Sequence, residues 1–159
     1  MVVEVRKNLH PLQLNGLGKR DVRTQFAALP YRVSRGKPEI LLITSRETGR
    51  WIIPKGWPED GLTAPESAAR EAWEEAGVEG RISLHCLGIY SYLKALDSKD
   101  RLPIVVAVFP VKVRRLIEEF PEKAERRRKW FSRKKAAARV DEPELRHMIR
   151  DFDPTHLRD

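Results

Sequence analysis

Three glutamates lie within five residues of one segment that the sequence predicts to be helical, residues 64–78, APESAAREAWEEAGV. At 100° per residue, Glu75 stands about 40° from Glu71 around the helix axis, and Glu74 stands about 60° from it on the other side. Carboxylates this close repel one another, and an oxygen-coordinated divalent cation such as Mg²⁺ would remove the repulsion. The spacing is equally typical of a solvated helix face on which Arg70 and Glu74 form an ion pair, so spacing alone leaves both interpretations open.

The loop before this helix adds a longer fixed pattern. From Gly56 to Val78 the chain resembles the signature of the Nudix hydrolase family, G-x5-E-x7-R-E-U-x-E-E-x-G-U, in which U is an apolar residue. The fixed positions that match are Gly56, Arg70, Glu71, Glu74, Glu75 and Gly77. Leu62 departs from the signature, because the family has its first glutamate there. The nearby Glu59 and Asp60 could partly replace that acid, although each is also typical of an ordinary loop-surface residue.

The resemblance implies roles for the matching residues. Glu71, Glu74 and Glu75 correspond to the family's metal-binding and catalytic glutamates, and Arg70 corresponds to an arginine that orients them through an ion pair. Gly56 corresponds to a glycine whose carbonyl oxygen binds the metal. The implied activity is a Mg²⁺-dependent pyrophosphohydrolase, with Mn²⁺ as the alternative ion.

Among the branches of the family, the chain is most similar to the diphosphoinositol polyphosphate phosphohydrolases. The similarity rests on residues 45–46, 50–54 and 126–131, and it implies that Ser45, Arg46 and Arg126 contact substrate phosphates. The glycine-rich stretch that precedes the signature in that branch is replaced here by residues 54–56, in which Lys55 is itself a candidate phosphate ligand. The branch's extra glycine after the signature also has no clear counterpart, since Gly80 lies only three residues beyond Gly77.

The charge pattern favours a polyanionic substrate. The chain has a formal net charge of +8, and residues 112–139 contain twelve Lys or Arg and four Glu. Arginine binds phosphate through two parallel hydrogen bonds and stays charged at physiological pH. We therefore expect a small-molecule polyphosphate, either a diphosphoinositol polyphosphate or a dinucleoside polyphosphate. Two alternatives remain: an RNA 5′-end pyrophosphohydrolase with a long basic groove, and a catalytically weak Nudix-fold protein that binds nucleotides or nucleic acid.

The sequence leaves the general base open. A pyrophosphate linkage repels attacking water, so a carboxylate must take the proton of that water. The acceptor could belong to the Glu71–Glu75 cluster or to the later loop that carries Glu118, Glu119 and Glu122, although these loop acids also fit a solvated surface. Trp57, directly after Gly56, could stack on a base, cover the site or pack against the fold.

The elements that must position these residues follow from hydrophobic patterning and turn signals. Thr63 and Glu66 predict a capping box at the start of the helix, and Gly77 predicts its end. The order of elements is β-β-β-α-β-β-β-α-α, which predicts an α/β fold with a mixed sheet between helices; the resemblance implies a Nudix-type α/β/α sandwich. The predicted strands are 25–33, 40–45, 51–53, 82–93, 104–113 and 129–131, and the later helices are 132–139 and 142–151.

Length and composition set the remaining expectations. The 159 residues suggest one domain at 21–153, preceded by a tail or loose element at 1–20 and followed by a tail at 154–159. No apolar run reaches the ~18 residues of a transmembrane helix, so we expect no membrane partner. Cys86 is the one cysteine, which excludes an internal disulfide and a cysteine-based zinc site and favours a reducing cytoplasm. The sequence does not predict the oligomeric state.

Overall fold

The computed structural model of the chain describes residues 23–96 and 100–157. The predicted tail at 1–20 lies outside the described residues. The strands are β1 (Arg23–Ser34), β2 (Lys37–Thr44), β3 (Trp51–Ile52), β4 (Lys55–Gly56), β5 (Val78–Ile82), β6 (Gly88–Ala95), β7 (Arg101–Leu116) and β8 (Arg128–Ser132). The α-helices are α1 (Ala64–Ala76), α2 (Arg133–Arg139) and α3 (Pro143–Arg150). Within the segment predicted as a C-terminal tail, Pro154–His156 form a 3₁₀ turn and Leu157 packs against the core.

The strands form one mixed sheet whose centre is β7 and β1. These two strands run parallel, with Arg23 opposite Ile104 and Tyr31 opposite Lys112, whereas their other partners are antiparallel. The strand order is β3-β2-β1-β7-β5; in addition β4 pairs with β1, β6 with β7, and β8 with β2. β7 contains the most apolar stretch of the sequence, and its middle is buried, which is typical of a central strand.

Helices cover both faces of this sheet and divide the core in two. On one face, four alanines of α1 spaced four residues apart pack on Phe26 and Phe109; they are Ala64, Ala68, Ala72 and Ala76. On the other face, Leu145 and Ile149 of α3 pack with Leu29, together with Ala136 and Ala137 of α2. The predicted α/β/α sandwich with a mixed sheet is confirmed.

The first helix begins and ends where the sequence predicts. The side chain of Thr63 accepts a hydrogen bond from the backbone N–H of Glu66, and the Glu66 carboxylate accepts one from the backbone N–H of Thr63, which completes the capping box. Gly77 adopts a left-handed conformation, with φ of 65°. Beyond it, Arg128 donates from Nη1 to the carbonyl of Ala76 at 2.8 Å, so strand β8 helps to close the helix. These contacts fix the register of the glutamates.

The predicted strand at 82–93 is wrong as one continuous element. β5 and β6 both pair antiparallel with β7, but the five residues between Ile82 and Gly88 lie opposite the two between Val111 and Val108. The extra residues loop out as a large bulge in which the backbone N–H of Ser83 donates to Pro110. The apolar pattern of the segment does not reveal this bulge, because the strands on both sides of it pair with the same edge of β7.

No helix among the residues described is both long and apolar enough to cross a membrane.

Candidate active site

A cleft of about 350 Å³ opens where β4 ends beside β1. Four acidic side chains line it: Glu59, Glu71, Glu75 and Glu122. Four basic side chains also line it: Arg46, Lys55, Lys94 and Arg126. The cleft thus brings together most of the residues that the sequence predicts for the site, among them Gly56. Among the described residues predicted for the site, Ser45, Arg70 and Glu74 lie outside its lining.

Glu71 projects from α1 against the backbone of Gly56. A Cβ atom at Gly56 would overlap the Glu71 carboxyl group, so only glycine allows β4 and α1 to approach this closely. Glu71 is 9% exposed, and burial is the main cause that raises its pKa to about 8; the negative charges of Glu75 and Glu74 add to the effect. The carboxyl group is therefore short of a cationic partner.

Glu75 lies one helical turn further along the same face. Its Oε1 accepts a hydrogen bond of 3.2 Å from the backbone N–H of Lys55, and its Oε2 lies 3.2 Å from Nη2 of Arg126. Burial raises the pKa of Glu75 to about 7, although Arg126 and the Lys55 N–H both favour the charged form. Two desolvated carboxyl groups at adjacent turns thus face one end of the cleft.

Arg126 is almost wholly engaged by protein groups. Its side chain is 6% exposed, and besides Glu75 it binds Glu122 at 2.9 Å and the carbonyl of Thr44 at 3.0 Å. The guanidinium lines the cleft, but its nitrogens already have acceptors on three sides. Arg46, at 55% exposed, is more open to a ligand, although it lies 3.2 Å from Glu125 and 3.7 Å from Glu122.

The remaining predicted residues lie around the cleft. Arg70 lies on the solvent side of α1, where its Nε is 3.0 Å from Glu74 and 3.3 Å from Glu59. Glu59 therefore provides a carboxylate beside Arg70, in a chain that has Leu62 where the family signature has its first glutamate. Asp60 is exposed. Ser45 bonds to Thr48 through its hydroxyl, at 2.6 Å.

Of the three loop acids predicted as general-base candidates, Glu122 is the one that lines the cleft. Its backbone N–H donates to the carbonyl of Glu74, which attaches the loop to the end of α1. Glu118 is exposed, and Glu119 is exposed and paired with Lys123. Glu122 therefore lines the cleft together with Glu59, Glu71 and Glu75.

Lys55 occupies the opposite end of the cleft. Its ammonium lies 5.1 Å from the ring centroid of Tyr92. Burial is the main cause that lowers the pKa of Lys55 to about 8; Arg50 and Lys94 oppose its charge, whereas Glu75 and Glu142 favour it. An anion in the cleft would compensate for the lost hydration of this ammonium.

Sequence reasoning missed three residues of this end: Gln25, Tyr92 and Lys94. They line the cleft beside Lys55, but they come from β1 and β6, far from the signature. Nothing in their local sequence marks them. Only the register of β6 and β1 on β7 brings them to the same place.

The donor set fits a hard divalent cation. Glu71 and Glu75 supply two buried carboxyl groups that repel each other, and the backbone of Gly56 lies against the Glu71 carboxyl group. In the part of the chain that the structure describes, no three His, Cys, Asp or Glu side chains are already grouped around one point. A site built on two carboxylates suits Mg²⁺, which usually keeps several of its waters.

Comparisons with known proteins agree with this geometry. A model of the NUDIX domain matches residues 23–152. Nudix hydrolase 12, mitochondrial, from Arabidopsis thaliana is 33% identical over 103 residues, which cover 63% of this chain and 51% of that protein. Diphosphoinositol polyphosphate phosphohydrolase 3-alpha from Mus musculus is 31% identical over 123 residues, which cover 76% of this chain and 71% of that protein. The chain thus spans about half the length of the first relative.

Solved structures share the fold. The binary complex of C. elegans Ap4A hydrolase has a TM-score of 0.59 at 21% identity, and the match covers 80% of this chain and 92% of that chain. At this identity the likeness concerns the fold alone. The domain match, which includes every element of the sandwich from β1 to α3, and the similarity to the mouse protein establish the family: this chain belongs to the Nudix hydrolases.

Proposed function

We propose that this protein is a Mg²⁺-dependent pyrophosphohydrolase that cleaves a pyrophosphate linkage in a phosphate-rich small molecule, either a diphosphoinositol polyphosphate or a dinucleoside polyphosphate. The observation that carries the proposal is the burial of two carboxyl groups at one end of the cleft: Glu71 against Gly56, and Glu75 one turn further along α1. Such a pair is poorly stable without a cation and well suited to hold one. Mn²⁺ is the alternative ion.

The charges in the cleft indicate which residues would hold the cation and which would position the glutamates. Glu71, Glu75 and the carbonyl of Gly56 would hold the cation, and Glu74 would contribute through water. When bound, the cation would neutralise the pyrophosphate oxygens and lower the pKa of a water. Arg70 orients Glu74 through their ion pair, and Arg126 holds Glu75. The proton acceptors within the cleft are Glu71, Glu75 and Glu122.

The shape of the cleft supports a compact substrate. Its volume of about 350 Å³ is in the range of small-molecule sites. Ser45, Arg46 and Lys55 are proposed phosphate ligands, and of these Arg46 and Lys55 line the cleft. The name of the mouse relative agrees with this class, since that protein is a diphosphoinositol polyphosphate phosphohydrolase. A reducing compartment, the cytoplasm, is the proposed location, because the chain has one cysteine.

The test is a substrate panel with and without Mg²⁺, run on the wild type and on Glu75→Gln. The panel contains a diphosphoinositol polyphosphate, diadenosine tetraphosphate, ADP-ribose and a 5′-triphosphate RNA. We expect Glu75→Gln to lower turnover at least ~100-fold, which is the scale of losing a main catalytic interaction. Glu118→Gln is the matched control, because Glu118 is exposed and lies outside the cleft lining. Undiminished hydrolysis by Glu75→Gln would refute the role of Glu75.

A metal titration complements the kinetics. Mn²⁺ binding, followed by electron paramagnetic resonance, should weaken in Glu71→Gln and Glu75→Gln and remain unchanged in Glu118→Gln. Equal Mn²⁺ affinity in all four proteins would remove the two helix glutamates from the metal site. Preference for the 5′-triphosphate RNA over the small polyphosphates would instead support the RNA 5′-end activity.

A further inference from the structure

The cleft reaches both faces of the sheet. β4 pairs with β1 so that Gly56 lies opposite Phe26 and Lys55 lies opposite Ala27. Phe26 belongs to the core under α1, whereas Ala27 belongs to the core under α2 and α3. Because successive side chains of a strand point to opposite faces, Gly56 meets the glutamates on one face while the side chain of Lys55 extends on the other. The glutamates and the Lys55 ammonium therefore form separate ends of one cleft.

The Lys55 end offers hydrogen-bond donors. Lys55 and Lys94 line it, and neither ammonium forms an ion pair with a residue that the structure describes. Gln25 is 4% exposed, and its Oε1 accepts a 2.7 Å hydrogen bond from the Tyr92 hydroxyl. Nε2 of Gln25 has no partner among the described residues and is not fully buried, so its N–H groups are open to a ligand in the cleft. Two ammonium groups and one amide donor thus line this end of the cleft, and none of them has an acceptor among the residues described, which is the chemistry of an anion site.

The aromatic ring at this end offers a nucleobase at most one face. The Lys55 ammonium lies over the ring of Tyr92, and the Tyr92 hydroxyl is held by Gln25. One face of the ring is therefore covered by a cation and is closed to stacking. An oxyanion can bind the ammonium without displacing it from the ring, because the two attractions act on different sides of the nitrogen.

We propose that Lys55, Lys94 and Gln25, supported by Tyr92, form a phosphate subsite for the part of the substrate beyond the cleaved linkage. The inference rests on the proposed function, because it assigns the glutamate end to the reacting pyrophosphate. A phosphate subsite at this end would favour substrates with a chain of three or more phosphates or with a polyphosphorylated ring. Diphosphate esters such as ADP-ribose would then be poor substrates.

The experiment compares substrates of different phosphate number in charge-matched variants. Lys94→Ala and Gln25→Glu should raise KM for diadenosine tetraphosphate about tenfold, the scale of one charge-assisted hydrogen bond, and should change KM for ADP-ribose less than about twofold. Lys94→Arg should restore most of the affinity. Lys134→Ala is the control, since Lys134 is an exposed lysine of α2 outside the cleft. Thermal unfolding of each variant checks the fold.

A binding titration separates this inference from the proposed activity. Calorimetry of metal-free protein with inorganic tripolyphosphate should show about tenfold weaker binding for Lys94→Ala and Gln25→Glu than for the wild type and Lys134→Ala. That result without hydrolysis by the wild type would uphold the subsite and reject the activity. If the wild type hydrolyses the panel while Lys94→Ala and Gln25→Glu match Lys134→Ala in KM and in tripolyphosphate affinity, the subsite is refuted and the activity stands.

Discussion

Arg126 holds Glu75 in place from the far side of the cleft: its Nη2 lies 3.2 Å from Oε2 of Glu75, and both groups are almost fully buried. The same guanidinium binds Glu122 at 2.9 Å, so one cation joins α1 to the loop before β8. Removing one partner of a buried charge cluster leaves the others uncompensated. The orientation of Glu75 therefore depends on a residue that lies 51 positions later in the chain.

Arg126→Ala should lower kcat by at least ~10-fold, because Glu75 would lose the group that positions it, whereas Mn²⁺ should bind at least as tightly as in the wild type, because Glu75 and Glu122 would then face each other without a cation. The KM values of small and large polyphosphates should change by similar factors. Steady-state kinetics on two substrates and Mn²⁺ titration measure these quantities. Arg127→Ala is the matched control, since Arg127 is adjacent and exposed, with its guanidinium near the ring of Trp51.

The similarity to the diphosphoinositol polyphosphate branch implies a different outcome for Arg126. If its guanidinium contacts substrate phosphates directly, Arg126→Ala should raise KM more for highly phosphorylated substrates than for a nucleotide sugar. Lys substitution separates the two roles further. A substrate contact would be largely restored by a lysine charge, whereas the three-sided contact with Glu75, Glu122 and Thr44 needs the planar fork of arginine.

Local sequence signals predicted α1 and its chemistry well, because they act within a few residues. The capping box at Thr63, the end at Gly77 and the common face of Glu71 and Glu75 all follow from helical geometry. Trp73 of the same helix is 37% exposed and is not part of the core under α1. The four-residue repeat of small alanines makes the contact instead, since a close approach between helix and sheet leaves no room for an indole.

Local sequence signals could not predict the cleft residues whose positions depend on strand register. Gln25, Tyr92 and Lys94 meet Lys55 only because β6 and β1 pair with the same strand, β7. The pattern of one strand does not say where it pairs, and a shift of one residue would turn each side chain to the other face. Glu59 is a similar case, since its position beside Arg70 depends on the path of the loop.

Glu59→Gln should lower kcat about two- to fivefold, because Arg70 would lose one of its two carboxylate partners and hold Glu74 less firmly. The expected size follows from a partly exposed ion pair, which contributes up to ~1 kcal/mol. Asp60→Asn removes the same charge from the neighbouring exposed residue and should leave kcat unchanged. Equal effects of the two substitutions would indicate a general loss of negative charge and would remove Glu59 from the positioning of Arg70.

Gly56→Ala should abolish Mn²⁺ binding and lower kcat at least ~100-fold, since the added methyl group would occupy the space of the Glu71 carboxyl group. Gly61→Ala is the matched control in the same loop. Its Cβ would meet open space, but its φ of 84° makes alanine unfavourable by about 1–2 kcal/mol. The control should therefore lower the unfolding temperature and keep its metal affinity. Loss of metal affinity in Gly56→Ala, beside retained affinity in the control, would indicate a local clash at Glu71. Retained Mn²⁺ affinity in Gly56→Ala would contradict the proposed packing.

Without metal, the stability of the protein should fall as pH rises from about 4.5 to 8. The folded-state pKa values of Glu71 and Glu75 are raised from 4.5 to about 8 and about 7, so these groups favour the folded state while protonated and lose that contribution as they ionise. Glu71→Gln should remove part of the slope and should be more stable than the wild type at pH 8 in EDTA. Mg²⁺ should raise the unfolding temperature of the wild type more than that of Glu71→Gln, because an ion that binds the folded state and not the unfolded state stabilises the folded state. The contrary result would be curves of unfolding temperature against pH that are parallel for wild type and Glu71→Gln and that Mg²⁺ does not change. It would show that burial of the two carboxyl groups does not destabilise the fold and that a cation does not stabilise it.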